Sequence, residues 1–509
     1  MMLVQEFLER TAERLPDKVC LVCDGQRLTY AQMEDHANRL ANALRKQGLQ
    51  RGDRAVIWLP NCIENAVAIF AVLKAGGIFV VANQSTKEHK LGYILNNCQA
   101  LALITSTSHS SFITHLLNQV PSLKTVVLVD TDKTTELPDA YFSYERIQDE
   151  FDPTRPPHCN TDLDLACLIY TSGSTGDPKG VMCDHGNVDF ASSSIITYLR
   201  NIEEDIVIGL LPLSFDYGLY QLLMTFKFGG TLVLERGFTY PAATLKRIEE
   251  ERVTGLPGVP TIFAVLVQTD LSGYDLSSLR YLSNTAAALP PNHIQKLKQK
   301  FPSVVLYSMY GLTETKRTLY LPPEQLEQRP GSVGIAIPGT EVWIEDEEGN
   351  RLGPGQTGEL IIRGRHVMRG YWGDEVATAK RYRPGPIAGE QVCCSGDLFR
   401  MDEEGFFYFV ARKDDIIKSR GEKVSPKEVE NVLYSLQGVL EAAVIGIPDP
   451  VLGQAIKAFI VTDGREISDR DVLAHCRVNL EDFMQPKHVE FCMELPKTES
   501  RKIKKTGLN

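Results

Sequence analysis

The sequence has no long uninterrupted apolar run. Its longest apolar stretch, AVAIFAVLKAGGIFVVA at residues 66–82, is broken by Lys74 and by two glycines. A membrane-spanning helix needs about 20 consecutive apolar residues, and no basic segment followed by an apolar one marks a secretory signal. We therefore predict a buried helix followed by a strand here, no membrane span, and a cytoplasmic protein.

Positive charge is not in excess either. The 509 residues include 54 Lys and Arg against 65 Asp and Glu, which gives a formal net charge of −11. Nonspecific affinity for nucleic acid comes from clustered Lys and Arg, so we expect no nucleic-acid partner.

The chain is too long for one ordinary hydrophobic core, and we expect two or more domains.

The eleven cysteines lack the paired spacing of zinc ligands. Cys20 and Cys23 come closest to it, but the alternation in KVCLVCDG predicts a strand with buried thiols. Cys393 and Cys394 are adjacent in another predicted strand. The cysteines therefore indicate no metal or redox cluster, and they fit a reducing cytoplasm.

Apolar strands alternate with amphipathic helices along much of the chain, which predicts parallel α/β layers. From about residue 331, short strands and Pro-Gly turns predict a β-rich subdomain. We therefore predict an α/β protein with a large N-terminal domain at 1–412, made of layered α/β subdomains plus a β-rich subdomain at about 331–412. A small mobile α+β C-terminal lid domain is predicted to follow at 413–509.

The segment YTSGSTGDPKGV, residues 170–181, is made largely of glycine and hydroxyl residues and follows the apolar run LACLIY. Its spacing does not match the Walker A loop, because Pro178 stands where the second glycine of that loop is required. Backbone amides exposed by glycine, hydroxyl donors and the compact charge of Lys179 nevertheless suit an anion. A surface turn without a ligand is the alternative for this segment taken alone.

Four further motifs follow in order: YGLTET at 310–315, SGDL at 395–398, ARKDDIIKSRGEKVSPKEVE at 411–430 and PKTESRKIKKTGL at 496–508. Together with YTSGSTGDPKG they resemble the core motifs of the AMP-forming adenylating superfamily, which includes acyl-CoA synthetases, adenylation domains of nonribosomal peptide synthetases and firefly luciferase. The resemblance covers essentially the whole chain. It implies an enzyme that uses ATP and Mg²⁺ to turn a small or medium carboxylic acid, or an amino acid, into an acyl-adenylate with release of pyrophosphate. The acyl group would then pass to the thiol of coenzyme A or to the phosphopantetheine of a separate carrier protein.

The resemblance also implies which residues bind the nucleotide. The clasp on the β- and γ-phosphates would be formed by Thr171, Ser172, Gly173, Ser174, Thr175, Gly176 and Lys179. Within YGLTET, which includes Gly311, Tyr310 would stack on adenine and Thr313 would contact the α-phosphate. Glu314 would be the Mg²⁺ ligand.

Two residues are implied at the ribose. Asp397, at the end of the predicted strand QVCCSGD, would accept both ribose hydroxyls. Arg412 would assist at the ribose or the phosphates, although Ala411 replaces the glycine that usually precedes it.

The resemblance places catalysis in the C-terminal part of the chain. Lys502 occupies the position of the catalytic lysine, and Lys418 matches a supporting lysine of some relatives. Arg501 replaces the glycine that usually precedes that catalytic lysine, which leaves open whether Lys502 alone supplies the charge. Asp414 matches the hinge about which the small domain would rotate between adenylation and thiol transfer.

The acid-binding residues are less clearly marked. The pocket walls implied by the resemblance are Phe215, Asp216, Tyr220, Asn284, Tyr307 and Met309. Asp216 would pair with a substrate ammonium in an amino-acid-activating enzyme, or it would cap the following helix, and both interpretations stay open. Lys316 and Arg317 are predicted on a solvated face, with a second substrate carboxylate or a partner surface as alternatives.

Three other functional classes are alternatives to the ligase. One is an amino-acid-specific adenylation enzyme that serves only a separate carrier protein. Another is an oxidative enzyme of the luciferase kind, and a third is a nonenzymatic pseudo-ligase that binds ATP or a partner.

Overall fold

The structure is a computed structural model that describes residues 2–132, 137–171, 178–285, 289–419, 422–449, 452–498, 503–505 and 507–508. Short 3₁₀ helices lie at Thr107–His109, Pro323–Gln325, Lys413–Asp415 and Asp482–Met484. None of the described helices has both the length and the apolar character needed to cross a bilayer.

Helices and strands alternate through the first part of the chain, as the sequence pattern predicts. In order they are α1 (Glu6–Arg14), β1 (Val19–Cys23), β2 (Gln26–Thr29), α2 (Tyr30–Lys46), β3 (Arg54–Trp58), α3 (Ile63–Lys74), β4 (Ile78–Val81), α4 (Glu88–Asn97), β5 (Ala102–Ser106), α5 (Ser110–Gln119), β6 (Thr125–Val129), β7 (Tyr141–Ser143), α6 (Tyr144–Glu150), β8 (Leu165–Thr171) and β9 (Lys179–Asp184). Seven of these strands form a sheet in the order β7-β6-β5-β3-β4-β8-β9, which is parallel except for the β8–β9 hairpin.

The stretch at residues 66–82 forms the predicted buried helix and strand, α3 and β4. Lys74 is buried with them, and its ammonium lies 2.8 Å from a carboxylate oxygen of Glu9 and 2.8 Å from one of Glu34. A buried charge needs such partners, so this lysine is compatible with an otherwise apolar helix.

The middle of the chain builds a second, longer sheet. Its elements are α7 (His185–Leu199), β10 (Ile206–Gly209), α8 (Asp216–Phe228), β11 (Thr231–Leu234), α9 (Pro241–Glu250), β12 (Gly255–Gly258), α10 (Pro260–Gln268), β13 (Tyr281–Asn284), α11 (Pro291–Lys300), β14 (Val305–Tyr310) and β15 (Leu319–Leu321). The strands β14-β13-β12-β10-β11-β1 are parallel neighbours, and β2 pairs antiparallel with β1 at one edge.

Antiparallel strands extend the same sheet beyond β14. They comprise β16 (Ser332–Ala336), β17 (Glu341–Glu345), β18 (Thr357–Arg363), β19 (Tyr382–Pro384), β20 (Gln391–Met401) and β21 (Phe407–Arg412), with α12 (Glu375–Arg381) between β18 and β19. Their order is β14-β15-β16-β21-β20-β18-β17, and β19 pairs with β20. Strand β20 continues past Asp397 to Met401, so the prediction that the strand ends at this aspartate is wrong. Gly396 (φ +71°) bends the strand there, and pairing resumes after it.

The C-terminal part has its own sheet and core. Its elements are β22 (Ile417–Ser419), β23 (Glu422–Val424), α13 (Pro426–Ser435), β24 (Val439–Asp449), β25 (Gly453–Thr462), α14 (Asp469–Asn479) and β26 (His488–Phe491). The sheet order is β23-β22-β25-β24, with β26 parallel to β25, and α13 and α14 pack on it through Leu433 and Val472. A large mixed α/β part followed by a small α+β part confirms the predicted fold class.

Candidate active site

The motif YGLTET forms the turn between β14 and β15. The amide of Thr318 donates to the carbonyl oxygen of Tyr310 at 2.9 Å and closes the turn. A Cβ on Gly311 would lie 1.7 Å from the carbonyl oxygen of Lys316, so only glycine fits there. Lys316 itself has a left-handed backbone, with φ +60°. The tight turn therefore explains the glycine and positions Glu314 within it.

Tyr310, at the end of β14, is joined to Asp397 on β20. Its hydroxyl donates to Oδ2 of Asp397 at 2.6 Å, and its ring packs edge-on against Phe399 at 4.9 Å between centroids. Burial, reinforced by the Asp397 carboxylate, raises the pKa of Tyr310 well above its ordinary value. The tyrosine is therefore held protonated as a hydrogen-bond donor.

Arg412 lies directly opposite Asp397 in the β20–β21 ladder. Its Nε is 3.8 Å from Oδ1 of Asp397, and its side chain is 60% exposed. The Asp397 carboxylate thus has a buried hydroxyl on one oxygen and an exposed guanidinium near the other, which leaves the arginine accessible to a ligand.

Glu314 is buried in a cluster that the sequence did not predict. The hydroxyl of Tyr371 donates to its Oε1, and Nε of Arg381 lies 3.6 Å from the same atom. Burial and the Glu314 carboxylate together raise the pKa of Tyr371. Burial alone would lower the pKa of Arg381, but Glu314 raises it. No motif marks Tyr371 or Arg381, and each reaches Glu314 from a segment distant in sequence.

The geometry at Glu314 fits a magnesium ligand. The contacts with Tyr371 and Arg381 both use Oε1, and Oε2 accepts no hydrogen bond from the residues that the structure describes. The same part of the chain contains no group of three or more His, Cys, Asp or Glu that could hold a metal. A Mg²⁺ ion at Glu314 would therefore take its other ligands from phosphate and water, as this ion commonly does.

Lys179 lies beside the Glu314 cluster. It begins β9 opposite Thr171, and its ammonium is 3.6 Å from Asp374 and 5.6 Å from the centroid of the Tyr371 ring. The amide of Trp372 donates to the carbonyl oxygen of Gly180 at 2.8 Å and holds the two segments together. The other predicted clasp residues, Ser172, Gly173, Ser174, Thr175 and Gly176, lie outside the described residues.

The implied acid pocket contains mostly buried side chains. Asp216, Tyr220, Asn284, Tyr307 and Met309 are buried, and Phe215 is partly buried. Asn284 ends β13, and the next strand, β14, carries both Tyr307 and Met309. The interpretation of Asp216 as a helix cap is wrong, because Phe215 is the N-cap residue of α8 and no side chain makes a capping hydrogen bond.

The prediction of a solvated face for Lys316 and Arg317 is also wrong. Lys316 is fully buried and Arg317 is 2% exposed. The guanidinium carbon of Arg317 lies 4.3 Å from the centroid of the Tyr217 ring, and its Nη1 is 3.9 Å from Oδ2 of Asp216. The ammonium of Lys316 is 5.6 Å from the Tyr220 ring. The turn after Gly311 directs both charges into the protein instead of toward solvent.

Comparison with known proteins identifies the family. Residues 8–372 match the family model described as AMP-binding enzyme, and residues 428–502 match the model described as AMP-binding enzyme C-terminal domain. The chain belongs to the AMP-binding enzyme family. This confirms the resemblance drawn from the motifs.

Individual members of the AMP-binding enzyme family align over nearly the whole chain. A long-chain-fatty-acid–CoA ligase of Bacillus subtilis (strain 168) is 34% identical over 532 residues, covering 98% of this chain and 93% of that protein. The structure of the anthranilate CoA ligase AuaEII in complex with anthranoyl-AMP has a TM-score of 0.90 at 27% identity, covering 99% of this chain and 95% of that one. O-succinylbenzoate coenzyme A synthetase from Bacillus subtilis, in complex with ATP and a magnesium ion, has a TM-score of 0.84 at 27% identity, covering 98% of each chain.

Only some of the residues predicted for catalysis in this AMP-binding enzyme are among those that the structure describes. Lys502, with its neighbour Arg501, lies outside the described residues. The backbone places Asp414 in the 3₁₀ helix Lys413–Asp415 and Lys418 in β22. Their roles stay predictions.

Proposed function

We propose that this protein is an AMP-forming ligase that joins a carboxylic acid to coenzyme A. The observation that carries the proposal is the β14–β15 turn, which holds Tyr310 bonded to Asp397 and, four residues later, Glu314 bonded to Tyr371. The three relatives described above are CoA ligases or a CoA synthetase, which supports coenzyme A as the thiol.

The turn and its neighbours would bind ATP. Tyr310 would stack on adenine while its hydroxyl keeps Asp397 in place for the ribose hydroxyls. Thr313 would contact the α-phosphate, and Lys179 would hold the β- and γ-phosphates. Mg²⁺, held by Glu314, would neutralise phosphate charge.

The reaction would proceed in two steps. A carboxylate oxygen of the acid attacks the α-phosphorus of ATP, the bond from that phosphorus to the bridging oxygen breaks, and pyrophosphate leaves. The thiol sulfur of coenzyme A then attacks the acyl carbon, the bond to the adenylate oxygen breaks, and AMP leaves while the thiol proton passes to solvent. Lys502 would stabilise charge at the carboxylate and α-phosphate during the first step, with Lys418 in support.

Residues 413–509 would act as a lid that serves both steps. In the described residues the lid contacts the large domain through Asn292, whose amide donates to the carbonyl oxygen of Tyr434 at 2.7 Å, and through Ser425, whose hydroxyl donates to the carbonyl oxygen of Val410. Rotation about Asp414 would exchange these contacts for a second set, so that one site performs two half-reactions.

ATP–pyrophosphate exchange tests the proposal directly. A panel of fatty, aryl, dicarboxylic and amino acids is assayed for exchange, and the active acids are then offered coenzyme A and separate carrier proteins bearing phosphopantetheine. We expect exchange with at least one acid, followed by an acyl-CoA product. Lys502→Ala should lower exchange by about 100-fold or more, whereas Lys504→Ala, in an exposed neighbour, should not. If no acid supports exchange, or if Lys502→Ala equals the wild type, the proposal fails.

A further inference from the structure

Arg317 is a buried cation whose hydrogen-bonding capacity is largely unused. Its Nε and Nη2 have no hydrogen-bond partner in the described part of the chain. Asp216 is the one carboxylate there within 4.0 Å of it, and the 3.9 Å separation from Nη1 exceeds a hydrogen bond. Buried polar groups are nearly always hydrogen-bonded, so two unpartnered N–H groups on a buried guanidinium indicate a missing polar partner.

The two unpartnered nitrogens lie on the same edge of the guanidinium. Nε–H and Nη2–H point in parallel, and this fork matches the two oxygens of a carboxylate. The rest of the group has neighbours, since its central carbon lies 4.3 Å from the centroid of the Tyr217 ring and its Nη1 faces Asp216. The arginine is thus positioned by its surroundings with its carboxylate-binding edge unoccupied.

The charges of the buried residues at this turn favour an anion. Lys316 donates to the carbonyl oxygen of Thr313 at 3.2 Å and has no carboxylate within 4.0 Å among the residues described. Together Lys316, Arg317 and Asp216 carry one net positive charge. A substrate ammonium placed here would meet two buried cations, whereas a carboxylate would balance them.

Tyr220 adds a third unpartnered polar group. Its hydroxyl is buried without a hydrogen-bond partner in the described residues. It lies four residues after Asp216 on α8, on the same helix face, and the Lys316 ammonium is near its ring. The cluster therefore presents a hydroxyl donor as well as the guanidinium fork.

We propose that Arg317 binds a second carboxylate of the substrate, so that the preferred substrates are dicarboxylic acids. One carboxylate would be adenylated, and the other would stay ionised and accept two hydrogen bonds from Nε and Nη2 of Arg317. The proposal rests on the proposed ligase function, because it assigns the far end of the acid that the same site activates. It also gives Asp216 the role of orienting Arg317 in place of reading an ammonium.

Matched acid pairs test this assignment in ATP–pyrophosphate exchange. Succinate, glutarate, adipate and pimelate are compared with their monomethyl esters, and aspartate, glutamate, alanine and leucine are included. For the best chain length we expect kcat/KM of the diacid to exceed that of its monoester by at least about 100-fold, because a site built for a polar group rejects analogues that lack it. This ratio is measured on the wild-type enzyme and needs no variant to fold.

Variants then assign the preference to Arg317. Arg317→Met should bring the ratio of diacid to monoester close to 1, and Arg317→Lys should keep part of the preference. Arg236→Met, in an exposed arginine paired with Asp24, should keep all of it.

Three results would overturn the inference while leaving the ligase intact. These are equal wild-type activity with diacid and monoester, an equal loss with both in Arg317→Met, and alanine or leucine as the best substrate. An equal loss of activity with diacid and monoester in Arg317→Met would show that Arg317 serves the reacting carboxylate. Alanine or leucine as the best substrate would indicate that Asp216 pairs with the substrate ammonium. Absence of exchange with every acid would overturn the ligase function itself.

Discussion

The hydroxyl of Tyr310 lies 2.6 Å from Oδ2 of Asp397, a residue 87 positions later in the chain. The bond links the last residue of a parallel strand in the α/β part to a bent antiparallel strand in the β-rich part. It therefore fixes the carboxylate of Asp397 before any nucleotide is present. A hydrogen bond to an ionised group contributes roughly 1.5–3 kcal/mol, which is enough to affect nucleotide affinity.

Removing this hydroxyl should weaken ATP binding. We expect Tyr310→Phe to raise the KM for ATP by about 10-fold with a smaller effect on kcat, because the ring stays in place and only the orientation of Asp397 is lost. Steady-state kinetics of acyl-CoA formation check this. Tyr320→Phe, which removes a hydroxyl from the neighbouring strand β15, is the control and should leave the KM unchanged. An unchanged KM in Tyr310→Phe would argue against Asp397 as the ribose ligand.

Neutralising Glu314 should change the magnesium requirement. Glutamine keeps the size of the side chain and its contact with Tyr371 but removes the negative charge that a hard cation needs. We expect Glu314→Gln to raise the Mg²⁺ concentration for half-maximal exchange by about 10-fold or more. The exposed Glu324→Gln serves as the matched control. If both variants titrate with Mg²⁺ like the wild type, Glu314 is not the ligand.

Periodicity predicted the fold well because it reflects burial directly. The breaks in the stretch at residues 66–82 predicted the end of α3 and the start of β4. These features depend on neighbours along the chain. The partners of Glu314 depend on tertiary contacts, and nothing near Tyr371 or Arg381 in the sequence indicated that they would meet it.

Arg317 shows why the residue type alone predicted the wrong environment for a charged side chain. Arginine is rarely fully buried unless it is paired, so a lysine and an arginine after a turn were predicted on a solvated face. The close approach at Gly311 and the left-handed backbone of Lys316 reverse the chain tightly, and Arg317 enters the protein beside Tyr217. This burial follows from the geometry of the whole turn. The pattern of charged residues in the sequence does not predict that geometry.

Restricting the proposed hinge should separate the two half-reactions. Proline fixes φ near −65°, so Asp414→Pro should hinder rotation of the lid while leaving the adenylation site intact. We expect acyl-CoA formation to fall at least about 10-fold more than ATP–pyrophosphate exchange. Asp414→Asn, which keeps backbone freedom, is the control and should reduce neither reaction strongly. Equal losses in both reactions of the proline variant would argue against a hinge here.

Acid should destabilise the fold through His185. The side chain is fully buried, its Nδ1 accepts a hydrogen bond from the amide of Val4 at 3.0 Å, and burial lowers its pKa from 6.5 to about 4 despite the carboxylates of Asp164 and Asp184. The folded pKa is therefore below the unfolded one, and between these values the unfolded chain binds a proton that the folded protein excludes. The stability present above pH 6.5 is lost as the pH falls toward 4, by about 2 kcal/mol between pH 7.5 and 5.0.

Urea unfolding at pH 7.5 and at pH 5.0 measures this loss. His185→Gln should reduce the difference in unfolding free energy between the two pH values by that amount, even if the variant is less stable at both. The exposed His89→Gln is the control, and an undiminished pH dependence in His185→Gln would assign the acid sensitivity to other groups.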